Sequence, residues 1–189
     1  DFERQRETRP FDIHEYETQG FINGDWESQK RFYPYFQNRG ISLQTQRAFS
    51  DHFFLATRER GGKTYTNLSF PLSLAAWPGK DIVGLEERSR TNADGKTAYK
   101  GMAAGSNAAE GLWIARLENN RSDMGFTRPI GAAQDVYWFE SAFDAMAYYQ
   151  IKMNEPGNVG YHDLANAVYV STGGSPTKKQ FSSMIEHTP

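Results

Sequence analysis

Val136-Tyr137-Trp138-Phe139-Glu140-Ser141-Ala142-Phe143-Asp144-Ala145-Met146-Ala147-Tyr148-Tyr149-Gln150 is the stretch that decides the fold. Its first four residues are β-branched or aromatic, which reads as a short buried strand of the parallel kind. At Glu140 the period changes. Phe143, Met146, Ala147 and Gln150 recur at helical spacing, so a helix over 141–152 follows at once. Glu140 then closes a strand and Asp144 falls in the first helical turn, on the sheet edge where open α/β folds bind ligands. Two readings stand side by side. Glu140, Ser141 and Asp144 cap the helix and complement its dipole, or the carboxylates meet a cation, because an unpaired buried charge is costly.

A chain of 189 residues, with 38% hydrophobic and 14% aromatic residues, can bury a substantial core. Lys plus Arg number 21 and Asp plus Glu 23, so net charge neither demands nor excludes nucleic acid. Its distribution is more telling. Residues 58–128 carry eleven Lys or Arg against eight acids, whereas residues 131–170 carry five acids and one Lys. A basic middle feeding an acidic strand–helix unit suits a phosphate-contacting surface beside a metal or catalytic edge. With no cysteine, disulfides and Cys-type zinc ribbons are excluded from these residues. No apolar run long enough to cross a membrane and no signal-peptide pattern occur, so a cytoplasmic protein without membrane association is expected. The missing initiator Met predicts a piece of something longer.

Upstream, residues 1–27 are charged and read as a linker or arm. Glu27 to Gly40 carries aromatics on a helical face, and Asn38-Arg39-Gly40 is a stop signal. A short helix over Gln44 to Phe49 is capped by Ser42. His52 to Thr57, a turn at Arg60-Gly61-Gly62-Lys63, and a return strand from Tyr65 stopped by Pro71 predict a hairpin. Asp81 to Arg88, Tyr99 to Met102 and Gly111 to Ala115 add strands, giving an antiparallel meander. After 128 the pattern alternates. A second buried strand, Ala167 to Val170, runs into Ser171-Thr172-Gly173-Gly174-Ser175-Pro176 and a helix from Thr177 to about Ile185, with Ser175 as N-cap and Pro176 at its first position. That loop is either an ordinary glycine-rich connection or a backbone cradle for phosphate.

The strand running into Glu-x-x-x-Asp-Ala and a helix resembles the first motif of the Toprim domain, the catalytic fold of bacterial DnaG-type primases, topoisomerases and related nucleases. Three further blocks extend the likeness. Tyr35-Phe36-Gln37-Asn38-Arg39-Gly40-Ile41-Ser42 followed by Phe49 is similar to the Arg-Gly segment opening the DnaG-type catalytic core. Asn67 to Leu72 with Ile82-Val83-Gly84-Leu85-Glu86-Glu87-Arg88 resembles its Phe-Pro and Gly-Phe-x-x-Arg elements. Tyr99-Lys100 through Gly105-Ser106-Asn107 and Glu110 to Trp113 stands where those primases have a Lys-bearing strand. Leu85-Glu86-Glu87-Arg88 and Gly105-Ser106-Asn107 with Glu110 to Trp113 look closer to Toprim-like proteins of plasmids and conjugative elements.

The resemblance implies an α/β fold: an α+β lobe with its meander over 28–128, then over 129–189 the first part of a Toprim, Rossmann-type parallel sheet. It implies that Glu140 is the motif acid, acting with Asp144 on Mg²⁺ or Mn²⁺. Arg39, Arg88 and Lys100 would hold phosphates, joined by Ser171 and Gly173 of the loop. Against these roles stand a surface Arg88 paired with Glu86 or Glu87, and a solvated Lys100. The second Toprim element, Asp-x-Asp, does not occur in these residues, so the metal-dependent nucleotidyl or phosphoryl transfer is expected of a longer parent and not of this piece. Partners would be single-stranded DNA or RNA and replication or mobilisation proteins. The rival reading is a non-catalytic binding module that keeps the fold and grips single strands, with Tyr65, Trp77, Tyr99 and Trp113 available for stacking.

Overall fold

A computed structural model describes residues 9–117, 130, 133, 135–157 and 161–188. The chain is α/β, with two sheets and six α-helices among those residues. A five-stranded antiparallel sheet follows chain order: β1 (Glu17–Gly20), β2 (Phe54–Arg60), β3 (Lys63–Leu72), β4 (Gly84–Arg88) and β5 (Lys100–Met102). The predicted hairpin is there. Arg60 pairs with Lys63 across Gly61 and Gly62, both at positive φ (59° and 74°), the backbone that a tight twisted hairpin needs.

The second sheet has the order β6 (Trp113–Arg116), β8 (Val168–Ser171), β7 (Val136–Phe139). β7 and β8 are parallel, in register Phe139 to Ser171, and β6 is antiparallel to β8. Between β7 and β8 lie α4 (Ala142–Asn154) and α5 (Tyr161–Asn166), and α6 (Lys178–His187) follows β8. Earlier in the chain come α1 (Trp26–Gln29), α2 (Tyr33–Phe36) and α3 (Leu43–Ala48). Ser73 and Leu112 exchange backbone hydrogen bonds of 2.8 and 2.9 Å, and so tie the two sheets together.

Several expectations are corrected. Residues 1–27 are not simply a linker or arm. From Glu17 they supply an edge strand, Phe21 is buried in the main core, and Phe11, Ile13 and Tyr16 cover the outer sheet face at Leu85. The segment 27–40 is no single helix. Short α turns alternate with 3-10 turns around Pro34, which has no N–H for the helical ladder. Pro71 does not stop β3. The β2 ladder ends at Ser69, so Pro71 is flanked by β4 alone and no ladder bond is lost to β2. β6 leaves the meander for the second sheet. β7, read as buried, is that sheet's edge among the described residues, and Trp138 is exposed; β8 is the fully buried strand. The N-cap of α6 is Thr177 and not Ser175. Thr177 and Gln180 form a reciprocal capping box, which leaves Pro176 outside the helix. The boundary expected at 128/129 lies outside the described residues.

One aromatic core spans both sheets. Phe70 of β3 meets Phe143 of α4 at 5.5 Å and Trp113 of β6 at 5.8 Å, Phe36 meets Phe143 at 5.7 Å, and Phe49 meets Tyr169 of β8 at 5.3 Å. All these are edge-to-face contacts, the arrangement that ring quadrupoles favour. Replacing the fully buried Phe70 with Ala is expected to cost about 3–5 kcal/mol. Urea unfolding with an unchanged slope would check it, and a loss far below that range would mean that the two sheets fold independently.

Candidate functional site

β4 is buried along its whole length, so its period-2 alternation sends polar side chains into two interiors. Leu85 and Glu87 face the layer made by the N-terminal segment. Glu86 and Arg88 face α4 and the second sheet. Arg88 Nη2 donates to Glu86 Oε1 at 2.7 Å, and Ser171 Oγ donates to Glu86 Oε2 at 3.3 Å. The backbone N–H of Ala142, first residue of α4, also supports the ionised carboxylate. Burial pushes Glu86 above the usual carboxylate range, while Arg88, Ser171 and Ala142 pull it back.

Arg39, the last residue before Gly40, lays its guanidinium over the Phe143 ring with Cζ 4.0 Å from the centroid. Its Nε is buried without a hydrogen-bond partner, and no described acceptor takes its Nη groups. Burial first, then the charge of Arg88, press it below the ordinary guanidinium value, and Asp144 opposes them. Arginine stays charged regardless. Asp144 itself closes a cap. Ser141 Oγ donates to Asp144 Oδ2 at 2.7 Å and accepts from the Asp144 N–H at 3.2 Å.

The structure therefore gathers Arg39, Arg88, Asp144 and Ser171 around the first turn of α4. Glu140 stands at the carboxyl end of β7, exposed, and takes no part in the cap, whose N-cap is Ser141. Ser141 and Asp144 form the cap as that reading expects, while Glu140 stands one residue before it and makes no capping hydrogen bond among the described residues. Lys100 lies opposite Arg88 in the β4–β5 ladder, on the same face but exposed. Gly173 is already engaged. Its N–H donates to Ser171 Oγ at 3.1 Å, it sits at φ 70°, and a Cβ there would strike Met102 of β5. The Thr172 N–H is also spent, on Phe139 O at 3.0 Å. Two of the loop's amides are thus committed inside the protein.

Glu86 is the residue that sequence reasoning passed over as a site. The sequence offers it only as the partner of a surface arginine, and the pairing is right while the surface is not. The signal was present as Glu-x-Arg on one strand, which places both side chains on one face. Among the described residues, no group of three or more His, Asp and Glu side chains is disposed to hold a metal ion, and no helix is long and apolar enough to cross a membrane. A scan against protein-family models, a search of curated proteins and a search of solved structures each found no match.

On the opposite face Glu87 is also buried, and Tyr99 Oη donates to its Oε2 at 3.3 Å. Burial raises its pKa above 4.5, against the Tyr99 hydrogen bond and the Arg58 charge. A raised folded-state pKa means that the folded chain binds this proton more tightly than the unfolded one. The resulting stability is complete below the ordinary carboxylate value and is lost as pH rises through the raised one. Glu87→Gln, which titrates in neither state, should match wild type in acid and melt above it at neutral pH. Melting curves at several pH values read this directly, and a gap that shrinks as pH rises would reverse the sign.

Proposed function

We propose that this chain binds single-stranded nucleic acid through its phosphates, as part of a primase-like Toprim protein acting in DNA replication or mobilisation. The observation that carries the reading is Arg39: a cation held over the Phe143 ring, with no acceptor among the described residues, at the sheet edge where β7 and β8 end. A guanidinium so positioned is prepared for a phosphate oxygen at little cost in side-chain order. Lys100, exposed on the same face as Arg88, extends the positive surface. In this reading Glu140 is the acid that works with Mg²⁺ or Mn²⁺ in nucleotidyl or phosphoryl transfer by the longer parent. Oxygen ligands suit those hard ions, and the exposed carboxylate at a strand end leaves Glu140 open to one.

Arg39→Ala should weaken binding of a labelled single-stranded oligonucleotide and flatten the dependence of log affinity on log salt by about 0.7, the share of one phosphate contact. Anisotropy titrations at several salt concentrations measure both. An unchanged slope would remove Arg39 from the phosphate contacts.

A second reading, a binding module without catalysis, draws on Asp144. Its carboxylate is engaged with Ser141, which makes it a helix cap before it is a metal ligand. Glu140→Gln in the full-length protein separates the two. The catalytic reading expects metal-dependent activity to vanish while Tm stays put, and the binding-module reading expects no such activity in wild type.

A further inference from the structure

Arg88, Ser171 and the amino end of α4 converge on a single carboxylate, and that carboxylate belongs to the chain itself. Arg88 and Glu86 are 8% and 1% exposed, Ser171 is fully buried, and the two Glu86 oxygens divide the donors between them: Oε1 takes the guanidinium and Oε2 the hydroxyl. Such a donor set, a cation with a hydroxyl and the Ala142 amide, is one that elsewhere receives a bound oxyanion.

We propose that this is an oxyanion pocket kept filled by the built-in anion Glu86, which withholds Arg88 from external phosphate and leaves Arg39 as the arginine that ligands reach. Geometry separates the two cations. Arg88 also donates to Glu87 O at 3.0 Å and is held on both sides by its own strand, whereas Arg39 has no acceptor among the described residues. Arg88 is therefore a positioning residue: it fixes Glu86 against β8 and α4 and adds its field to Arg39 without touching the ligand. The filled pocket needs only the anion chemistry around Glu86; that Arg39 is the arginine ligands reach rests on the proposed function.

Glu86→Ala vacates the volume of the carboxylate, and formate and inorganic phosphate are the probes. In E86A, formate is expected to raise Tm with the logarithmic concentration dependence of a specific ligand and to move the Arg88 Nε–Hε resonance. Wild type should show neither change. If E86A is unfolded in plain buffer, formate is expected to restore its folded circular-dichroism signal. The double variant E86A/R88A should respond to neither probe. An equal response in E86A/R88A, no response in E86A, or a phosphate shift at Arg88 in wild type would each overturn the proposal. Movement of Arg39 in wild type bears on the proposed function alone, so the two readings fail by different signals.

Discussion

A charged pair inside a two-sheet protein is tolerable only if every donor and acceptor around it is met, and Glu86 meets that condition by drawing on its own strand and on two elements distant in the chain. Its partners are Arg88 on its own strand, Ser171 at the end of β8 and the start of α4; Ser171 lies 85 residues away in the chain. Desolvating a carboxylate is expensive, and removing one member of a buried pair typically costs about 3–5 kcal/mol, because the other is left unpaired. The arrangement holds only when the meander, the second sheet and α4 are all docked. Glu86 thus makes the polar seam of the interior conditional on the complete fold.

The apolar side of the same interface works differently. Phe70, Phe143, Phe36 and Trp113 meet edge to face and would gain from burial in many arrangements. Hydrophobic contact supplies most of the driving force but little direction. Arg88 and Glu86, flanked on β3 by Leu68 and Phe70, fix the register and the approach of α4. The cation of Arg39 then rides on Phe143, a ring that the core has already immobilised. The interior thus positions a side chain whose backbone lies on a short 3-10 turn.

What the sequence disclosed and what it hid divide by distance along the chain. The Gly61-Gly62 turn, the Ser42 cap of α3, the parallel strand–helix unit around Glu140 and the β4 strand are local, and each was legible from neighbours a few residues apart. β6 was legible as a strand but not in its partner, because its ladder with β8 depends on chain far downstream. Trp138 looks as apolar as Val170. Only the order of strands decides that one lies at an edge and the other at the centre. The α6 start is a different case, since both Ser175 and Thr177 can cap. Gln180, three residues after Thr177, chooses between them, and that choice was readable.

The site follows the same rule. Arg39, Arg88 and Ser171 were picked out singly, and the fold brings them to one helix start. Glu86 escaped because a glutamate on a strand is by default a solvated one. Its burial depends on β8 and α4 closing over it. Once it is seen as buried, the roles around it change order. Ser171 and Gly173 turn inward, bonded to each other and, through Ser171, to Glu86. Arg88 is neutralised where it stands. The cations left without a carboxylate partner here are the half-buried Arg39 and the exposed Lys100, and the exposed acid at the edge is Glu140. Among the described residues neither the Arg39 nor the Glu140 side chain has a hydrogen-bonding or ion-pair partner, and the two flank one helix start.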